Sequence, residues 1–252
     1  MQDLKLYVLC TQHLTILELD GVVLSEIVEL EGEGNNFVWM DWYSTDSILV
    51  CDYVGGVFML GCNENTFDST ITGNLGIDYG LKCFCNDRKY GNNMLAGGDD
   101  CDLAIIDLET FDHVPCKMVM NNNVNIGGGA NSDHHNVSCV AFSKELALIG
   151  YNTKQAVLFK IKKEEKKGEK IQIFQCGSAI SRILTDDYKV ILCAHNSVVI
   201  YYNTGNMTKK GIFEQLGTLN FTEQVQTAYV TEKYLVVSVG LISTLYYYKL
   251  SD

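Results

Sequence analysis

Apolar residues recur along this chain in short runs and not at helical spacing: Leu6 to Cys10, Leu14 to Leu19, Val22 to Leu30, Phe37 to Tyr43, Ile48 to Cys51, Val57 to Leu60, and on to Leu245 to Tyr248. Short alternating or continuous apolar runs bounded by polar turns predict strands. No convincing long helix competes with them.

The strands fall into a repeat. Each unit has an apolar strand, a polar turn, a second strand ending in a small residue, and a third strand rich in branched and aromatic residues; most add a fourth, such as Lys170 to Cys176. The turns Thr45-Asp46-Ser47, Asn86-Asp87-Arg88, Ser143-Lys144-Glu145, Thr185-Asp186-Asp187 and Thr231-Glu232-Lys233 follow one another at 41, 57, 42 and 46 residues. Second strands end at Cys10, Cys51, Gly98, Gly150, Cys193 and Ser238, all small. A four-stranded antiparallel unit at this interval is the size of one β-propeller blade, and blades stack radially so that both faces are buried. The expected fold class is therefore all-β, a single propeller domain of about six four-stranded blades over residues 1–34, 35–76, 77–134, 135–177, 178–220 and 221–252, with ring closure incomplete. A pair of β-sandwiches has the same strand rhythm and is the structural alternative. Inner strands converging on an axis leave little room for side chains, which accounts for the small residues. The cysteines among them read as small buried hydrophobes.

Two units carry a family resemblance. Met94 to Thr110, MLAGGDDCDLAIIDLET, runs through a strand, small residues, an acidic turn, a strand and the apolar-Asp pair Ile106-Asp107; Val137 to Gly150, VSCVAFSKELALIG, is similar to the matching first hairpin. On these residues the chain resembles the WD-repeat family, over nearly its whole length. No unit has the family's Trp-Asp pair or its Gly-His, so the buried tetrad those residues build is not implied. What the resemblance does imply is a degenerate WD-repeat propeller that serves as a platform for protein partners.

Charge and composition narrow the function classes. With 31 Asp and Glu against 19 Lys and Arg, the 252 residues carry a net charge of −12, which disfavours direct wrapping of nucleic acid or anionic lipid. No apolar stretch is long enough for a membrane span. Polar residues at Asp3, Lys5, Gln12, His13 and Glu18 spoil a signal peptide, so the chain is expected in the cytoplasm or nucleus, not secreted, with its 10 cysteines reduced.

Candidate chemistry is sparse. His113 and Cys116 have one zinc-like spacing, but Asp133, His134, His135 and Cys139 supply no second short-spaced pair, so no metal is expected. Gly127-Gly128-Gly129, in the inserted loop from Met120 to Asn136, lacks the Lys and helix of a phosphate loop; no cofactor is expected. Lys160 to Lys170 mixes lysines with glutamates and reads as a solvated hairpin tip. Trp39 and Trp42 point to opposite faces of a first strand and suit burial between blades. Equivalent turns between second and third strands lie on one rim of a propeller. That rim gathers His13, Tyr53, Asp99, Asp100, Tyr151 and His195 as partner-binding candidates, with no catalytic set assigned. The alternative is a propeller enzyme whose site on this rim uses His13 and His195 with Asp99 or Asp100.

The expected function is a non-catalytic propeller scaffold within a eukaryotic multiprotein complex. The ends support it: the first unit begins at its second strand and the last stops at its third. Tyr246 and Tyr248 are then left on an edge strand that natural proteins cover. Either the N-terminal strand crosses over or a protein partner completes the terminal blade. The repeat already places the N-terminal strand in its own unit, which favours the partner.

Overall fold

The computed structural model describes residues 4–9, 13–20, 23–31, 36–44, 47–53, 56–63, 66–74, 81–86, 93–98, 103–110, 113–115, 117–119, 137–143, 146–162, 167–185, 188–208, 211–231, 233–241 and 244–250. Among them, strands fold into six sheets, each built in chain order. The first holds β1 (Leu4–Leu9), β2 (His13–Asp20) and β3 (Val23–Glu31); the second β4 (Phe37–Ser44), β5 (Ser47–Asp52), β6 (Gly56–Asn63) and β7 (Thr66–Asn74). The third holds β8 (Leu81–Asn86), β9 (Asn93–Gly98), β10 (Leu103–Asp107) and β11 (His113–Pro115). A short β12 (Lys117–Val119) then pairs in parallel with the outer strand of the fourth sheet. That sheet is β13 (Val137–Ser143), β14 (Leu146–Tyr151), β15 (Gln155–Lys162) and β16 (Lys167–Gln175). The fifth is β17 (Ile180–Thr185), β18 (Lys189–Ala194), β19 (Ser197–Thr208) and β20 (Gly211–Asn220), and the sixth β21 (Val225–Val230), β22 (Tyr234–Val239) and β23 (Thr244–Lys249). Apart from β12, every pairing is antiparallel, as the hairpin-length connections require.

The core is a stack of sheet-to-sheet interfaces. Successive side chains on a strand point to opposite faces, and here each face meets a different neighbour. In β5, Ile48 and Val50 pack back on Leu14 of the first sheet, while Leu49 and Cys51 pack forward on Phe84, Met94 and Ile106 of the third. In β18, Val190 and Leu192 face the fourth sheet, while Ile191 and Cys193 face the sixth. A middle strand buried on both sides therefore reads as an unbroken apolar run such as Val190 to Cys193. The strands that open the second to sixth sheets, β4, β8, β13, β17 and β21, lie side by side in that order. This is the radial blade arrangement the repeat predicts.

One device recurs that the repeat does not reveal. Each of those five strands has a β-bulge after its first residue, leaving Val38, Lys82, Ser138, Ser181 and Gln226 as the extra residues. The bulge shifts the strand's phase, so that the residue before it faces the preceding sheet and the residue after it faces the next. Val137, for instance, packs against the third sheet and Cys139 against the fifth.

The small residues sit opposite the member after the bulge. Register places Cys51, Gly97, Gly150, Cys193 and Ser238 in this row, so in the third sheet the position belongs to Gly97 and not to Gly98. A Cβ on Gly150 would stand 2.5 Å from Cys139 Sγ and 3.2 Å from Ile183 Cδ1 of the next sheet. Gly150→Ala is therefore expected to cost about 2 kcal/mol. Combining it with Cys139→Ala should recover about 1 kcal/mol of that, because the clashing sulfur is removed. Urea titration of the four proteins in the cycle checks this, and strictly additive losses would show that the two positions do not compete for space.

Candidate functional site

The strands β4, β8, β13 and β17 line a half-open pocket of about 530 Å³ whose polar lining includes Asp41, Lys82, Ser138, Ser181, Arg182 and Thr185. Much of this polarity is engaged by the fold. Ser138 Oγ shares its proton between the carbonyls of Gly150 (3.1 Å) and Ile180 (2.9 Å), and Ser181 Oγ donates to the Cys193 carbonyl at 3.2 Å. Arg182 Nη1 donates to Thr227 Oγ1 at 2.7 Å, tying β17 to β21. The bulges thus aim hydroxyls at neighbouring carbonyls, and the two serines act as clasps between strands. Their signal in the sequence is faint: a single polar residue after the first apolar residue of the strand, as in Val137-Ser138-Cys139.

The nearby thiols are inert for the same reason that they pack well. Burial pushes Cys139 up to about 12, with neighbouring Cys193 and Cys176 adding to the rise; burial also raises Cys193 to about 12 and Cys176 to about 11. Cys83 and Cys51 are raised as well, again chiefly by burial. At neutral pH these groups are neutral thiols and poor nucleophiles. Cys83 and Cys85 both face the fourth sheet, as two residues separated by one along a strand should.

The rim residues fare unequally. By strand direction, the turns from second to third strands lie at the end of the sheets where the bulges are. Tyr53 is half-buried in one such turn, its N–H donating to the Asn36 carbonyl at 2.8 Å. His195 is exposed in the turn between β18 and β19; its N–H donates to Ser178 Oγ at 3.0 Å and its carbonyl accepts the Val225 N–H at 2.8 Å. His13 opens β2 opposite Glu31, its side chain lying outside the described residues, as do Asp99 and Asp100. Tyr151 corrects the reading: it is 2 % exposed, because the register sets it opposite Val137 in a row whose described members in the other sheets, such as Phe37 and Asp52, Ile180 and Ala194, and Val225 and Val239, are buried as well. It belongs to the core between the third and fourth sheets, not to an accessible rim. Asp52, in the same row, is buried too, with Oδ1 accepting the Gly56 N–H at 2.6 Å. Trp42 differs likewise: Trp39 packs on Phe84 at 5.7 Å, whereas Trp42 is exposed.

Tyr246 and Tyr248 are brought together. Both rings lie against Phe221, at 5.4 and 6.4 Å, on the side of β23 that faces the fifth sheet. The other side of the strand carries Leu245 and Tyr247, both exposed. β23 pairs with β22 along its whole length, and no described strand pairs with its other edge. The segment from Met120 to Asn136, with Asp133, His134 and His135, lies outside the described residues. Among the described residues no group of three or more metal-ligand side chains forms, and no helix is long and apolar enough to cross a membrane.

Comparison with known proteins adds the fold's identity. The chain superimposes on the β-propeller domain of Cps50 (Swd1) from Myceliophteria thermophila with a TM-score of 0.67 at 10 % identity, covering 95 % of this chain and 80 % of that one. The chain is a β-propeller. It also matches the computationally designed Ika8 protein with a TM-score of 0.63 at 12 % identity, covering 99 % of this chain and 72 % of that one. No protein-family profile matches the sequence, and no curated protein shows significant sequence similarity to this propeller. At such identities the likeness establishes the fold and leaves activity to the site.

Proposed function

We propose that this propeller is a non-catalytic scaffold for protein partners, working as a subunit of a eukaryotic multiprotein complex in the cytoplasm or nucleus. The observation that carries the reading is the outer edge of β23, which presents main-chain groups beside the exposed Leu245, Tyr246 and Tyr247. An uncovered aromatic edge strand invites strand addition, and tyrosines suit surfaces that are wet in one state and buried in another. A partner strand on this edge completes the terminal blade. Tyr53 and His195 form the second proposed contact region, to which the sequence repeat assigns His13, Asp99 and Asp100 as well.

The test is a pull-down of tagged chain at physiological salt with quantitative mass spectrometry. Stoichiometric recovery of one or more proteins is expected. His195→Ala should weaken retention of a rim partner while moving the melting temperature by less than about 2 °C, the range of an ordinary surface substitution. A chain that returns alone, with a small molecule in the 530 Å³ cavity and turnover that His195→Ala abolishes, would overturn the scaffold in favour of an enzyme.

A further inference from the structure

The pocket lined by β4, β8, β13 and β17 carries chemistry that a scaffold for proteins does not need. Each of these strands ends its sheet, so its inner edge offers the pocket main-chain N–H and C=O groups that no described strand pairs. Apolar side chains of the same strands turn away into the sheet interfaces, Phe84 towards the second sheet and Cys139 and Ala141 towards the fifth. Two cations line the end where the bulges are. Arg182 shares a row with Trp39 and Cys83, each opposite a small residue, and Lys82 is the extra residue of the bulge just before Cys83. Asp41, two residues on from Trp39, stands about 7 Å deeper. The hydroxyls beside the cations are already engaged, since Ser138 and Ser181 donate to main-chain carbonyls. Arg182 keeps more in reserve. Its Nη1 donates to Thr227 Oγ1, and among the described residues it has no carboxylate partner, which leaves most of its five-donor fork for the pocket.

We infer that this pocket binds a small phosphate monoester with a hydroxylated body, such as a sugar phosphate, its phosphate between Lys82 and Arg182 and its hydroxyls on the main-chain edges. The inference goes beyond the scaffold reading and does not depend on it. Two positive charges at one end match a dianion whose charge is gathered in a single group, and a guanidinium fork meets phosphate oxygens two at a time. A dicarboxylate spreads its charge and would bring one carboxylate towards Asp41. The space, about 530 Å³, lies within the range of small-molecule sites, about 300–1,000 Å³, and exceeds what a bare phosphate fills. Edge N–H and C=O groups call for acceptors and donors together, which hydroxyls supply and a hydrocarbon does not. The net charge of −12 does not oppose this, because at physiological salt exposed carboxylates are screened over about 8 Å and the adjacent cations decide. Lys82 and Arg182 lie on strands of different sheets, so the chain's repeat gives no sign of the pair.

Isothermal titration calorimetry of the purified full chain, in phosphate-free buffer at physiological salt, tests this. The probes are a panel of hexose, pentose and inositol monophosphates, with inorganic phosphate, citrate and glucose as separate arms. At least one monoester is expected to bind at a single site more tightly than about 1 mM, and roughly tenfold more tightly than inorganic phosphate or citrate, while glucose does not bind. K82Q and R182Q should each weaken that monoester roughly tenfold, the order of a lost hydrogen bond to a charged group, with unchanged circular dichroism. Thr227→Val removes the bond from Arg182 to β21 and no charge, and Lys249→Gln removes an exposed cation on β23; each should leave the affinity within about twofold. If R182Q does not fold, K82Q decides alone. A panel with no member binding more tightly than about 1 mM would overturn the inference. So would affinity indifferent to K82Q and R182Q, or inorganic phosphate or citrate binding as tightly as the best monoester.

Discussion

In an alkaline titration followed by circular dichroism, the protein is expected to unfold cooperatively below about pH 11, at the point where buried thiols exhaust a typical folding free energy of about 5–15 kcal/mol. Cys139 and Cys193 are pushed up to about 12 and Cys176 to about 11, in each case first by burial. In the unfolded chain the same groups ionise near the ordinary value of about 8.5. The folded pKa is raised, so the stabilisation is complete below that ordinary value and is lost as pH rises through the window up to 12. Within it, Cys139 and Cys193 should each weaken folding by about 1.4 kcal/mol per pH unit, about 3 together, and the partly exposed Cys176 by less. Urea midpoints at a series of pH values read this slope. Cys193→Ala should reduce it by about 1.4 kcal/mol per pH unit whatever the cavity costs, because a cavity shifts the curve without tilting it. Stability that stays level from about pH 8.5 to 10.5 would mean that water reaches these thiols.

Gln172→Leu is expected to cost about 3 kcal/mol, or roughly 6–12 °C in melting temperature for a domain of this size. Gln172, on β16, is buried, and its amide does the work of a strand: Nε2 donates to the Phe213 carbonyl at 2.7 Å and Oε1 accepts the Phe213 N–H at 3.0 Å. It thereby satisfies the outer edge of β20 across the boundary between the fourth and fifth sheets. Leucine fills similar space but leaves a buried N–H and C=O without partners. Gln172→Glu separates this from packing. A carboxylate there would face a carbonyl oxygen, while a protonated carboxyl would restore both bonds. Its folded pKa would be raised, so the variant should recover stability as pH falls below about 5 and lose it as pH rises through that range. A glutamate variant equally stable at low and neutral pH would show that the two bonds contribute little.

The strand content, the repeat and the two-sided burial were legible in the sequence, because an apolar run of four or five residues between turn residues has few other uses in a chain with so little helical period. The positions of Cys51, Gly150, Cys193 and Ser238 were legible too, since a close approach between sheets excludes large side chains wherever it occurs. What the sequence could not decide was which face each side chain takes. A bulge after the first residue of β4, β8, β13, β17 and β21 shifts the alternation by one, and its only local trace is a residue such as Ser138 or Gln226 that fits an ordinary strand equally well. That shift, read across the paired strands, moves the third sheet's small position to Gly97. Tyr151, on the unbulged β14, follows Ala147 and Ile149 onto the face covered by the third sheet and so lies in the core and not on the expected rim. Coverage was equally hidden. Ile191 and Val236 are similar residues at equivalent positions, yet one lies under a neighbouring sheet while the other belongs to a face on which Tyr229 and Tyr247 stand exposed. Strand periodicity is a property of the chain, whereas burial of a sheet face depends on what stands opposite, and only the tertiary structure decides that.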